Sequence, residues 1–264
     1  MSNLTRFYAI ESFPIRDARN WKTFLRDGAI YVAIASNSNR YSPIYKFMNA
    51  EDIEEYQQIP VEGVFDVQPV DTGNELYLVY ASIHGPTSTI FRWDKSKKIF
   101  IQHQIVQAYG TDVESFKIGD EHFISFVGES ACARCPVLAN AHQCVPILLA
   151  AIHLLSFVLC SNFVFCYLLA MENGPFVTMY KLSKEGNFTK YGSIRDDQKA
   201  YSMHHFQIGN EHFLAIARFS NKPSVILRWD GKTFRQHQII DSCWVNNSSY
   251  FMSHSFMSFH QLRI

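Results

Sequence analysis

The chain has 264 residues, with 24 Lys plus Arg against 24 Asp plus Glu, so its charge balance offers no electrostatic case for nucleic acid or an acidic membrane surface as partner. Charged residues make up only 18% and aromatics 15%, which argues against a disordered chain and suits half-buried strands around a sizeable core.

In chain order, Met1 to Arg6 lacks the basic region and apolar core of a secretory leader and reads as a start within a domain. A series of short strand patterns then begins with NWKTFLRD (20–27), turns at Asp27-Gly28, and continues as AIYVAIAS (29–36), PIYKF (43–47) and IEEYQQI (53–59). The series returns as DVQPVD (66–71), ELYLVYAS (75–82), TIFRW (89–93) and FIQHQIV (100–106). DVESFKIG (112–119) and EHFISFVG (121–128) open a third unit. FCYLLAME (165–172), VTMYKL (177–182) and FTKYGSI (188–194) read as a fourth. SMHHFQIG (202–209), EHFLAIAR (211–218), VILRW (225–229) and FRQHQII (234–240) form a fifth. The landmark aromatics Tyr31, Tyr77, Phe123, Tyr167 and Phe213 stand 46, 46, 44 and 46 residues apart. Gly73-Asn74, Gly119-Asp120 and Gly209-Asn210 repeat the tight-turn chemistry of Asp27-Gly28. Four short strands every 46 residues or so are the footprint of a β-propeller blade, whose apolar faces are covered by neighbouring blades. The expected fold is therefore all-β, an incomplete propeller of four-stranded blades with about five visible, and the named aromatics read as core.

Residues 131–162 match nothing in the repeat, and no Asp, Glu, Lys or Arg occurs from Cys135 through Met171. The run 145–171 has the length and apolarity of a membrane-spanning helix. Three readings stay open: a span, a degenerate blade, or sequence foreign to the fold, the abrupt loss of charge and repeat favouring the last. A span would cut the propeller and is not favoured. The chain accordingly divides into blades at 1–130, an atypical segment at 131–162, further blades at 163–242 and a tail without repeat at 243–264.

Catalytic chemistry finds little support. No G-x-S-x-G elbow or phosphate-cradling glycine loop occurs. His103, His122, His204, His205, His212 and His237 fall at repeat positions and read as packing or surface residues. Cys132-x-x-Cys135 with His142 and Cys144 has zinc-ligand types, but a single C-x-x-C without a second half is weak. Trp93-Asp94 and Trp229-Asp230 mimic the WD dipeptide without its Gly-His companion. Sequons occur at Asn3, Asn187, Asn246 and Asn247. The one recurring polar position of chemical interest is Asn20, Asp66 and Asp112, with Ser202 in a later unit. It opens the first strand of each blade, which lines the central channel, so its oxygens would converge on the axis and either hold a hard cation such as Ca²⁺ or meet water.

Three stretches carry a resemblance: Phe234-Arg-Gln-His-Gln-Ile239, Asp112-Val-Glu-Ser-Phe-Lys-Ile-Gly119 and Ile208-Gly-Asn-Glu-His-Phe-Leu-Ala-Ile-Ala217, closed by Val225-Ile-Leu-Arg-Trp229. The pattern resembles the EAR, or EPTP, repeat over residues 7–130 and 163–240. The family includes the leucine-rich glioma-inactivated proteins and the thrombospondin-type laminin G domain and EAR repeat proteins, and the plain spacing lies nearest the second group. The resemblance implies a seven-bladed propeller, secretion or cell-surface display, binding to other proteins such as a surface receptor or matrix component, no catalysis, and in some relatives an axial ion. An intracellular propeller scaffold, a single-pass protein anchored through 145–171, and a propeller enzyme are the alternatives.

Overall fold

The computed structural model describes residues 12–49, 52–128, 175–195, 200–218 and 223–240. Gly73 and Gly119 hold φ of 81° and 60°, left-handed values that cost glycine little, and each reverses the chain between two strands. Between such turns the alternating apolar residues pair as antiparallel ladders. Blade 1 contains β1 (Ala18–Arg26), β2 (Ala29–Ser36), β3 (Ser42–Phe47) and β4 (Ile53–Ile59). Blade 2 contains β5 (Val64–Asp71), β6 (Leu76–Ser82), β7 (Ser88–Asp94) and β8 (Ile99–Val106). Blade 3 contains β9 (Asp112–Ile118), β10 (Glu121–Val127), β11 (Pro175–Leu182) and β12 (Phe188–Arg195). Blade 4 contains β13 (Ala200–Ile208), β14 (Glu211–Arg218), β15 (Ser224–Trp229) and β16 (Phe234–Ile240). Each sheet runs in simple meander order, and no helix occurs among the described residues.

Blade 3 departs from the sequence reading. The repeat pattern assigns 112–128 and 177–194 to two successive units, with Tyr167 as the landmark of the second. The structure instead pairs β10 with β11, Phe123 opposite Lys181 and Val127 opposite Val177, and closes a single sheet. The reason is the repeat itself: a third strand from any unit offers the same alternation, so the second strand of one unit can pair with the third strand of another. Four sheets thus stand among the described residues where the sequence suggested about five units; Tyr167, the segment 131–162 and the run 145–171 lie outside those residues. No described helix is long and apolar enough to cross a membrane.

The remaining landmarks share one register. Tyr31, Tyr77, Phe123 and Phe213 lie opposite Lys46, Arg92, Lys181 and Arg228 on the third strands. The core lies between blades. Phe24 stacks on Tyr31 at 5.3 Å and meets Phe100 edge-on at 5.7 Å, with Trp93 and Tyr56 completing the group. Phe116, Phe123, Phe234, Trp229 and Tyr191 rebuild the same five-ring arrangement between blades 3 and 4. Between blades 2 and 3, Val70 takes the first ring's place beside Tyr77 and Phe188. Each buried ring contributes about 1.5–3 kcal/mol, so three such clusters hold the blades side by side.

Candidate functional site

The first strands β1, β5, β9 and β13 lie next to one another and bring the recurring polar position together. Asn20 Nδ2 donates to Asp66 Oδ1 at 2.5 Å, while Asp66 Oδ2 accepts the Val113 amide of blade 3 at 2.9 Å. One blade further on, Asp112 Oδ2 accepts the Ser202 hydroxyl and the Met203 amide, both at 2.7 Å. The predicted residues are thus gathered, and each carboxylate reaches into the blade that follows. Asp66 is only 1% exposed. Burial first, and then the Asp112 carboxylate, push its pKa well above the usual carboxylate range.

A hard cation takes six to eight oxygens. Here Asp66 accepts three hydrogen bonds, from Val67, Asn20 and Val113, and Asn20 turns its carbonyl oxygen to the Trp21 amide. Among the described residues no group of three or more His, Cys, Asp or Glu could hold a metal. Among the described residues Asn20, Asp66 and Asp112 form an inter-blade clasp. The Cys132, Cys135, His142 and Cys144 set lies outside the described residues.

Two residues along each first strand stands a second polar tier: Lys22, Gln68, Glu114 and His204. Gln68 donates to Ser115 Oγ at 2.9 Å. Glu114 pairs with His204 Nδ1 at 3.1 Å and accepts the His205 amide at 3.2 Å. That hydrogen bond raises the His204 pKa. His205 behaves oppositely. It stacks on Phe116 at 4.6 Å and meets His212 at 3.1 Å; burial, with His212 and His204 beside it, lowers its pKa to about 4. Asp66, Asp112 and Glu114 are each engaged by the blade that follows. Asp94 and Asp230, the acidic partners of the two WD-like pairs, are turn caps: Asp94 Oδ1 accepts the Ser96 and Lys97 amides, and Asp230 Oδ1 those of Lys232 and Thr233.

A further set of contacts escaped the sequence reading. Each outer strand carries an irregularity opposite its third strand, between Ile44/Tyr45, Ile90/Phe91, Met179/Tyr180 and Ile226/Leu227. Such bulges re-aim side chains. Gln57 is bound to the next blade at both ends of its amide, receiving the Phe100 N–H and donating to the Phe100 carbonyl at 2.8 Å each. Gln104 treats Phe188 identically, again at 2.8 Å. The preceding ring joins in: Tyr56 donates to the Lys98 carbonyl, His103 Nε2 to Gly186 O at 2.8 Å, and Tyr191 to Lys232 O at 2.9 Å. The [Tyr/His]-Gln pair of the repeat is therefore a clasp for the following blade's outer hairpin. The signal was the recurrence of that dipeptide, which reads equally well as surface. In blade 4 the same pair, His237-Gln238, is exposed.

The family model described as "EPTP domain" matches residues 6–47, 54–94 and 187–230. Two of these stretches, 54–94 and 187–230, join an outer strand to three strands of the next blade, so the sequence repeat straddles the clasped interface. The chain is 26% identical over 246 residues to the mouse leucine-rich repeat LGI family member 3, covering 89% of this chain and 44% of that protein. It is 24% identical over 131 residues to the human thrombospondin-type laminin G domain and EAR repeat-containing protein, covering 45% of this chain and 20% of that one. The chain thus spans less than half the length of the curated relatives it matches. Among solved structures, a Lactobacillus plantarum protein shares the fold with a TM-score of 0.51 at 10% identity, over 84% of this chain and 54% of that one.

Proposed function

Taking as premise that this is an EPTP-repeat chain, we propose that it is a non-enzymatic protein–protein interaction module displayed outside the cell or on its surface. The observation that carries this reading is the similarity to a leucine-rich repeat LGI family protein over 89% of the chain, anchored by three EPTP matches. The geometry supports it. Asp66, Asp112 and Glu114 of the first strands serve inter-blade bonds, which favours a rigid binding scaffold over acid–base chemistry. The loops and rim of such a disc present the partner surface. The partner is a protein, a surface receptor or a matrix component, and neither nucleic acid nor lipid.

The test is saturable binding of the purified, tagged chain to intact cells and to deposited matrix. Binding abolished by mild protease treatment of the cells, and unchanged by removal of their glycans, is the expected result. Protease-resistant binding, or turnover of glycoside substrates by the purified chain, would overturn the reading.

A further inference from the structure

We propose that Asn187 is an N-glycosylation site and that its glycan projects from the outer hairpin of blade 3. The inference rests on the extracellular reading above, because the modification requires passage through the secretory pathway.

The hairpin between β11 and β12 leaves Asn187 with no structural duty for its side chain. The left-handed residue of the turn is Gly186, at φ 83°, so an Asn is not needed there for its tolerance of that conformation. The turn is capped instead by Ser183, whose Oγ accepts the Asn187 amide at 3.3 Å and whose N–H reaches Asn187 O at 2.8 Å. Both of these bonds use the Asn187 backbone, and the residue is exposed. The corresponding hairpins of blades 2 and 4 are capped by Asp94 and Asp230 and have Ile99 and Thr233 at this position, so the repeat does not require an amide there.

The rest of the sequon fits a modified surface. Thr189, the hydroxyl residue that a transferase reads, is exposed too. Between them Phe188 turns the other way and is 1% exposed, locked by Gln104, so the fold holds Asn187 and Thr189 outward together. Of the four sequons only this one lies within the described residues. In the reaction the Asn187 Nδ2 attacks the anomeric carbon of an oligosaccharide carried on a polyprenyl diphosphate. The C–N bond forms, the C–O bond to the diphosphate breaks, the lipid diphosphate leaves, and the amide proton passes to the transferase's base.

The full chain, expressed in animal cells behind a secretion leader, tests the site. Both the secreted and the cell-retained pools are treated with peptide N-glycosidase in heavy-oxygen water and mapped by mass spectrometry. Labelled conversion of residue 187 to Asp is expected, with loss of one mobility step in Asn187→Gln and Thr189→Ala and its retention in Thr189→Ser. Unlabelled Asn187 in both pools overturns the proposal, even if other sequons are occupied. Because the leader forces entry, this result is independent of the cell-binding test: an occupied Asn187 with no cell binding would remove the interaction reading and leave the site.

Discussion

At the scale of residues, two adjacent histidines titrate in opposite senses because their neighbours differ. His204 faces a carboxylate, and His205 faces Phe116 and His212. The pKa of His205 falls from 6.5 to about 4 on folding. Between those values the unfolded chain binds the extra proton, so stability rises with pH across this window. The contribution is complete above pH 6.5 and is lost as pH falls toward 4. With the ring partly solvated, this is worth on the order of 1–2 kcal/mol. His205→Phe keeps the stack on Phe116 and removes the titration. Urea unfolding of parent and variant at neutral and mildly acidic pH should therefore show a flatter pH dependence in the variant. His204 keeps its Glu114 partner in both proteins, so equal slopes would count against the assignment.

At the scale of elements, the outer strand works as a fastener as well as a fourth ladder. Its bulge turns a Gln toward the next blade, where one side chain satisfies both backbone groups of Phe100 or Phe188. Gln57→Ala leaves that pair of groups unmet and should cost about 1–3 kcal/mol in a denaturant titration. Blade 3 offers the complementary experiment, since Gly192 occupies the clasp position opposite Met179, as Gln57 lies opposite Ile44. A Cβ at Gly192 meets only the Met179 terminal methyl at 3.8 Å, an ordinary contact. Gly192→Gln should raise stability by about 1 kcal/mol, through lower strand entropy cost and a new clasp on Phe234. An unchanged or lowered midpoint would show that the amide does not reach Phe234.

At the scale of the whole molecule, the described blades are joined by three related interfaces, each with an apolar cluster and polar ties. Among the described residues, sheet three is joined between Val127 and Val177 by β10–β11 pairing. Replacing 129–174 by a short loop such as that of 83–87 should therefore preserve the joined blades. Amide exchange should show β9 to β12 protected as in the parent, with a thermal midpoint no lower. Loss of protection confined to these four strands would mean that β9 and β10 rely on something other than β11. His237-Gln238 and Ile239 stand exposed at the blade 4 end, carrying the ring–Gln fastener that blades 1 and 2 spend on a neighbour.

By itself the sequence determined the strand and turn alphabet. Alternation placed Tyr31, Tyr77, Phe123 and Phe213 in the core, and Gly-Asn and Gly-Asp pairs set the hairpins, because period-two burial and left-handed turns are local properties of the chain. It also singled out Asn20, Asp66 and Asp112, since a residue recurring every 46 positions must recur in space. Their roles were not legible. Whether a carboxylate faces an axis, a cation or the next blade's amide depends on how one sheet is rotated against another, and only the packed blades decide that. The same holds for β10 and β11. Repeats make strands chemically interchangeable, so the choice of partner for β10 belongs to the tertiary fold, where the register that buries Phe123, Val127, Val177 and Met179 together is the one adopted.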